Sequence, residues 1–99
     1  MRLFLDASVL LAASGSARGA SREVFRLAPW NGWTPSVAKD RPVLFSALAW
    51  ADALLTLDRE DFAALLGSAF YGLPVLTPGT FLERERATGQ LKTPKRGLG

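Results

Sequence analysis

The chain opens Arg2-Leu3-Phe4-Leu5-Asp6-Ala7-Ser8-Val9-Leu10-Leu11, and the run from Arg2 to Leu5 decides the fold. Its apolar side chains are consecutive rather than alternating with polar ones, the pattern of a short central strand covered on both faces. Asp6 ends the run where a helix can begin, and Ala7 to Ala13 continue with helix-compatible residues. A buried strand passing directly into a helix is the start of a parallel β/α arrangement.

The rest of the chain repeats that alternation. Gly15 and Gly19 with interleaved Ser break the first helix, and a second helical piece from about Ser21 to Ala28 places Val24 and Leu27 on one side, away from Arg22 and Arg26. Pro29 and Gly32 are expected to end it. Trp33 to Val37 reads as a short strand around Pro35, at an edge of the sheet because proline cannot donate to a ladder. Asp40 with Pro42 marks a helix start, and Val43 to Trp50 is so poor in polar residues that it is expected to be buried on most sides. Ala53 to Thr56 is a further apolar strand, followed by Asp58 and a helix from Arg59 to Leu66 that Gly67 stops. Leu73 to Leu76 gives the last strand, and Pro78 and Thr80 lead into a helix from Phe81 to about Ala87, closed by Gly89. The alternation predicts a three-layer α/β/α fold on a small, mostly parallel sheet with right-handed crossovers.

Ninety-nine residues, 48% of them hydrophobic, suffice for one compact domain and leave no room for a second. There is no Cys and no His. Disulfides, thiolate or imidazole metal sites, cysteine nucleophiles and the Ser-His-Asp arrangement are therefore excluded, and any chemistry must use carboxylates, hydroxyls or a hard cation. Absent cysteine is compatible with a reducing cytoplasm, the expected location. The net charge of +3 resides in the last ten residues: Lys92, Lys95 and Arg96 stand there with no acid, which leaves 9 basic residues against 9 acidic ones in the body. Residues 1–89 are thus read as the domain and 90–99 as a basic flexible tail, able to touch phosphates without specificity or simply solvated. Asp6 interrupts what would otherwise be a signal-like start, so export is not expected. Phe62 to Leu82 is uncharged and long enough to span a bilayer, but Gly67, Gly72, Pro74, Pro78 and Gly79 cut it into buried-core pieces, so no membrane role is expected.

Asp6 and Asp58 each follow the carboxyl end of a predicted strand, where open parallel sheets bind their ligands, and Asp40 at a helix start would join them on that rim. Three converging carboxylates repel one another unless a cation neutralises them, so the trio is a candidate Mg²⁺ or Mn²⁺ site able to activate water against a phosphodiester. Each of the three equally occupies a helix N-cap position, where Asp accepts from orphan backbone N–H groups. Asp52 suits a turn or cap; Glu60 and Asp61 suit a helix's first turn. Trp30 and Trp33 either stack on bases or pack. Arg18, Arg22 and Arg26 either meet phosphates or form a solvated helix face.

The opening motif, Arg2-Leu-Phe-Leu-Asp6-Ala-Ser8, resembles the first motif of PIN domains, in which a strand ends in an aspartate followed by a small residue and then Ser, Thr or Asn. Lys39-Asp40-Arg-Pro42-Val-Leu-Phe-Ser-Ala47, running on to Ala51-Asp52-Ala-Leu-Leu-Thr56-Leu-Asp58 and Phe62, is similar to the third and fourth motifs of that family. There an acid opens a helix, an alanine-rich helix leads to a strand, and the strand ends in Thr-x-Asp. Leu76-Thr-Pro78 with Phe81-Leu-Glu83 resembles the closing strand and helix. The match covers the first thirteen residues and about Lys39 to Glu85. It implies a PIN-like fold and a Mg²⁺- or Mn²⁺-dependent ribonuclease, including the VapC type of toxin held by an antitoxin. Asp6, Asp40 and Asp58 would bind the metal and carry catalysis, with Ser8 and Thr56 orienting a carboxylate or water. The chain departs from the family between the first and third motifs. Only 33 residues, 7 to 39, separate Asp6 from Asp40. The family's helix-opening glutamate has no counterpart there, since Glu23 lies in the wrong helix and suits solvent. A truncated PIN-like module without catalysis, acting in binding or homodimer assembly, is the alternative; the sheet edge and apolar surface left by the shortening would need a partner.

Overall fold

A computed structural model describes residues 1–15, 19–37, 43–59, 64–89 and 91–93, with the backbone alone for 43–46. Among these residues the elements run β1 (Arg2–Leu5), α1 (Ala7–Gly15), α2 (Ala20–Asn31), β2 (Thr34–Val37), α3 (Val43–Trp50), β3 (Ala53–Leu55), β4 (Ser68–Phe70), β5 (Leu73–Leu76) and α4 (Pro78–Ala87). The strands form one sheet in the order β2-β1-β3-β5-β4. The first four in that order are parallel neighbours, and β4 pairs antiparallel with β5.

The consecutive apolar residues of the strands divide between two cores. Leu3, Leu5, Ala53, Leu55 and Leu76 meet Val9 of α1, Val24 and Leu27 of α2, and Phe81 and Leu82 of α4. On the opposite face Leu54, Leu73 and Val75 meet Ala47 of α3, with Phe4, Leu65 and Leu66 packed alongside. Successive strand residues point to opposite faces, and here each face has its own helical layer, which is why the runs do not alternate with polar residues. Each fully buried leucine contributes about 1.5–3 kcal/mol over its exposed state. Trp33 packs edge-on against Phe81 with ring centroids 4.9 Å apart, at the floor of the first core.

The short strands are pinned at their amino ends. Asp52 N–H donates to Arg2 O at 2.7 Å, and Arg2 N–H donates to Asp52 Oδ2 at 2.7 Å, clamping β1 to the start of β3. At the outer edge Thr34 N–H donates to Met1 O at 2.9 Å. Ladder groups alternate, so Pro35 turns its missing N–H outward, consistent with the edge position.

Three sequence expectations change in the structure. Pro29 does not end the second helix, because its ring lies within the last turn and removes a single donor. The stop comes at Gly32, whose φ of 68° lets its own N–H and that of Trp33 close on Ala28 O, while Asn31 Nδ2 donates to Leu27 O. The helix expected over Arg59–Leu66 falls partly outside the described residues, and its described end, 64–67, forms turns. Strand β4 was not foreseen. It returns through Tyr71 and Gly72, both at positive φ (49° and 84°), the backbone of a two-residue type I′ hairpin. In the basic tail, residues 91–93 are described, and Asn31 holds them: its Nδ2 donates to Lys92 O and Lys92 N–H donates to its Oδ1, each at 2.7 Å.

Candidate active site at the carboxyl ends of β1 and β3

Leaving β1, the chain enters α1 on the first face; after β3, Leu65 and Leu66 pack on the second. β1 is followed in sequence by β2 on one side of it, and β3 by β4 and β5 on the other, so the strand order reverses between β1 and β3, the usual ligand position in open α/β sheets.

Register brings the polar residues at this reversal together. Leu5 is aligned with Leu55 in the parallel pair, so Asp6 and Thr56, the next residues on each strand, stand side by side. Asp6 N–H donates to Leu55 O at 3.0 Å, and Thr56 N–H donates to Leu76 O at 2.9 Å, fixing both backbones. Thr56 is fully buried. Its Oγ1 donates to Asp6 Oδ2 at 3.0 Å and accepts the N–H of Asp58 at 3.0 Å. Ser8 Oγ donates to the same Asp6 Oδ2 at 2.7 Å and accepts the N–H of Leu57 at 3.0 Å. The two hydroxyl oxygens stand 3.5 Å apart. Each proton has a shorter route to the carboxylate, so both are committed to Asp6 rather than to each other. The result is one carboxylate oxygen held by two hydroxyls, which in turn hold two N–H groups of the loop after β3.

Asp6 accordingly aims across to β3 and to Ser8, and Val9 N–H closes the start of α1 on Asp6 O, not on its side chain. Among the described residues no hydrogen bond engages Asp6 Oδ1. Asp58 sits on the same rim, tied through its N–H to Thr56. Asp40, Glu60 and Asp61 lie outside the described residues, as does Arg18. Among the described residues no group of three acids stands close enough to hold a metal.

The remaining candidates take structural parts. Glu23 receives Arg26 Nε and Nη2 at 2.7 Å each; these hydrogen bonds hold its carboxyl below the ordinary value of 4.5 against the opposing effect of partial burial. Arg22 Nη1 donates to Ala13 O at 3.3 Å. Trp33 is buried and Trp30 is exposed. The acceptor role of the two hydroxyls toward the loop was not anticipated, although Thr-x-Asp is a pattern in which a hydroxyl often accepts from the N–H two residues on. Among the described residues, no helix is long and apolar enough to cross a membrane.

Compared with known proteins, the chain matches no family model, no curated protein and no solved structure. The likeness to PIN domains therefore rests on the quoted motifs alone.

Proposed function

We propose that the chain is a divalent-cation-dependent phosphodiesterase that cleaves RNA, with Asp6, Asp40 and Asp58 as the acids that hold Mg²⁺ or Mn²⁺. The supporting observation is the double hydroxyl clamp on Asp6 Oδ2 at the switch point of the sheet. A ligand carboxylate works best when outer partners fix its plane, and Ser8 and Thr56 do so while Oδ1 remains for a cation. The donor set is entirely oxygen in a chain without His or Cys, which suits a hard cation rather than zinc or copper. When bound, such a cation stabilises charge on a phosphodiester and lowers the pKa of water. Positioning is the task of the protein's own groups, with Thr56 linking the acid after β1 to the backbone that carries Asp58. RNA as substrate, a cytoplasmic toxin role and control by an antitoxin follow from the PIN-like motifs and belong to the same proposal.

RNA cleavage by the wild type and by Asp58→Asn, with and without Mn²⁺, tests the reading. The expected result is cleavage only with metal, reduced on the order of 100-fold in the variant. Equal activity in both proteins, or none under any metal, defeats it.

A second reading, a PIN-like module that binds without catalysis, is favoured by the exposure of Leu10 and Leu11 on α1. It predicts an assembled protein that neither binds Mn²⁺ nor cleaves RNA.

A further inference from the structure

Arg86 to Gly99 holds Arg86, Lys92, Lys95 and Arg96 with no acid, the largest such excess in the chain, and Val24 to Val37 is likewise free of acids. The structure joins the two stretches at the end of α2. Asn31 Nδ2 donates to Lys92 O and Asn31 Oδ1 accepts Lys92 N–H, each at 2.7 Å, while Leu91 packs against the first core. Both hydrogen bonds use the lysine's main chain. Among the described residues no hydrogen bond or ion pair engages its ammonium. Trp30, next to the anchoring asparagine, is 53% exposed, whereas Trp33 is buried and Trp50 half-buried. Consecutive Cα atoms are about 3.8 Å apart, so Asn31 keeps the backbones of Trp30 and Lys92 within on the order of 10 Å of each other.

We propose that this end of α2 binds single-stranded nucleic acid, a base stacking on Trp30 while Lys92, with Lys95 and Arg96 following it in sequence, meets the phosphates. An aromatic face accepts any base and neighbouring cations answer the backbone, the combination that single-strand binding without sequence preference requires. A lone exposed tryptophan is ordinary. This one adjoins a side chain whose hydrogen bonds hold the most basic stretch of the chain beside it. The carboxyl end of a helix repels phosphate, but here the last carbonyls are engaged, Leu27 O by Asn31 Nδ2 and Ala28 O by the N–H groups of Gly32 and Trp33. Arg26, one turn before Trp30, is held by Glu23 and adds little charge. An acidic peptide would meet the same cations but brings no regular series of flat rings, so the indole is what selects nucleic acid. The inference does not rest on the nuclease reading, because binding here uses neither the acids of the rim nor a cation.

Fluorescence anisotropy of labelled oligo(U) of about ten nucleotides, with the full chain in EDTA at low salt, tests it. EDTA keeps cations from the rim, so the outcome is separate from that of the cleavage assay. Oligo(U) and oligo(dT) are expected to bind alike, and a duplex, whose bases are already stacked, more weakly. Trp30→Ala is expected to weaken binding about tenfold with far-UV circular dichroism unchanged. Tyr71→Ser, which removes the exposed ring of the β4–β5 turn, is expected to leave it unaltered. Lys92→Gln is expected to reduce the slope of log affinity against log salt by about 0.7. The proposal is overturned by absence of binding, by equal affinity in Trp30→Ala, by an unchanged slope in Lys92→Gln, by a marked preference for one sugar, or by a duplex or polyglutamate bound as tightly as oligo(U). Should Trp30→Ala fail to fold, Trp30→Phe keeps an aromatic face: binding is expected to persist while the quenching of tryptophan fluorescence by oligo(U) disappears. Quenching retained in that variant overturns the assignment to Trp30.

Discussion

Thr56 is fully buried, and its hydroxyl is used twice, donating to Asp6 and accepting from Asp58 N–H. Valine has nearly the same shape but neither capacity, so Thr56→Val strands a buried carboxylate contact and a loop donor. We expect a loss of about 1–3 kcal/mol, read as a lower urea midpoint with unchanged slope, and recovery of most of it in Thr56→Ser. An unshifted midpoint would show that the hydroxyl network carries no stability. The hydroxyls of this network were singled out only by the resemblance of Asp6-Ala-Ser8 and Thr56-Leu-Asp58 to PIN motifs, while spacing alone placed the acids equally well as helix caps. The contacts between these residues were not legible, since Asp6 meets Thr56 only through the alignment of Leu5 with Leu55, a fact of register fifty residues apart in sequence. Among the described residues Asp6 does not cap α1 through its side chain, whose Oδ2 accepts from Ser8 in the first turn of α1 and from Thr56 just after β3.

Among the elements, β1, β3 and β5 lie close to where apolar runs placed them, because a strand covered on both faces leaves a continuous signal; β2 lies at the edge that Pro35 implied, and α3 lies where its apolar run placed it, with Ala47 buried, Leu48 and Trp50 half-buried and Ala49 exposed among its described side chains. The β4–β5 hairpin left no signal. Ser68-Ala69-Phe70 is too short to show a period, and its turn uses Tyr71-Gly72 in place of the Asn-Gly pair that marks such hairpins. Its order comes from pairing with β5, helped by Gly67, whose N–H donates to Val75 O at 2.8 Å with φ at 79°. Gly72 at φ 84° has open space around the position of a Cβ, so the cost of a side chain there is conformational alone. Gly72→Ala is expected to destabilise by about 1 kcal/mol, measured as a lower thermal midpoint. Equal stability would mean that the turn can relax to another type. The second helix teaches the complementary point. Pro29 and Gly32 both look like stops in the sequence, but a proline inside a final turn loses one donor, and it is Gly32 that supplies the left-handed residue that ends the helix.

At the scale of the whole molecule, the order of strands and helices implied three layers, and the two cores on opposite faces of the sheet give them. In the order β2-β1-β3-β5-β4 the sequence reverses between β1 and β3, and Asp6 stands at that point; this consequence of strand order is visible in sequence only as a rule about parallel sheets. The start of the basic tail docks on Asn31, at the end of α2 beside the amino ends of the strands, and hence away from the acids. Affinity for a cation is therefore expected at the carboxyl-end rim and not at that tail. A calorimetric titration of Mn²⁺ into the wild type and Asp6→Asn tests this most directly. Stoichiometric binding to the wild type is expected, with its loss in an Asp6→Asn protein that remains folded. Absence of binding by the folded wild type, or unchanged binding in the variant, would contradict it.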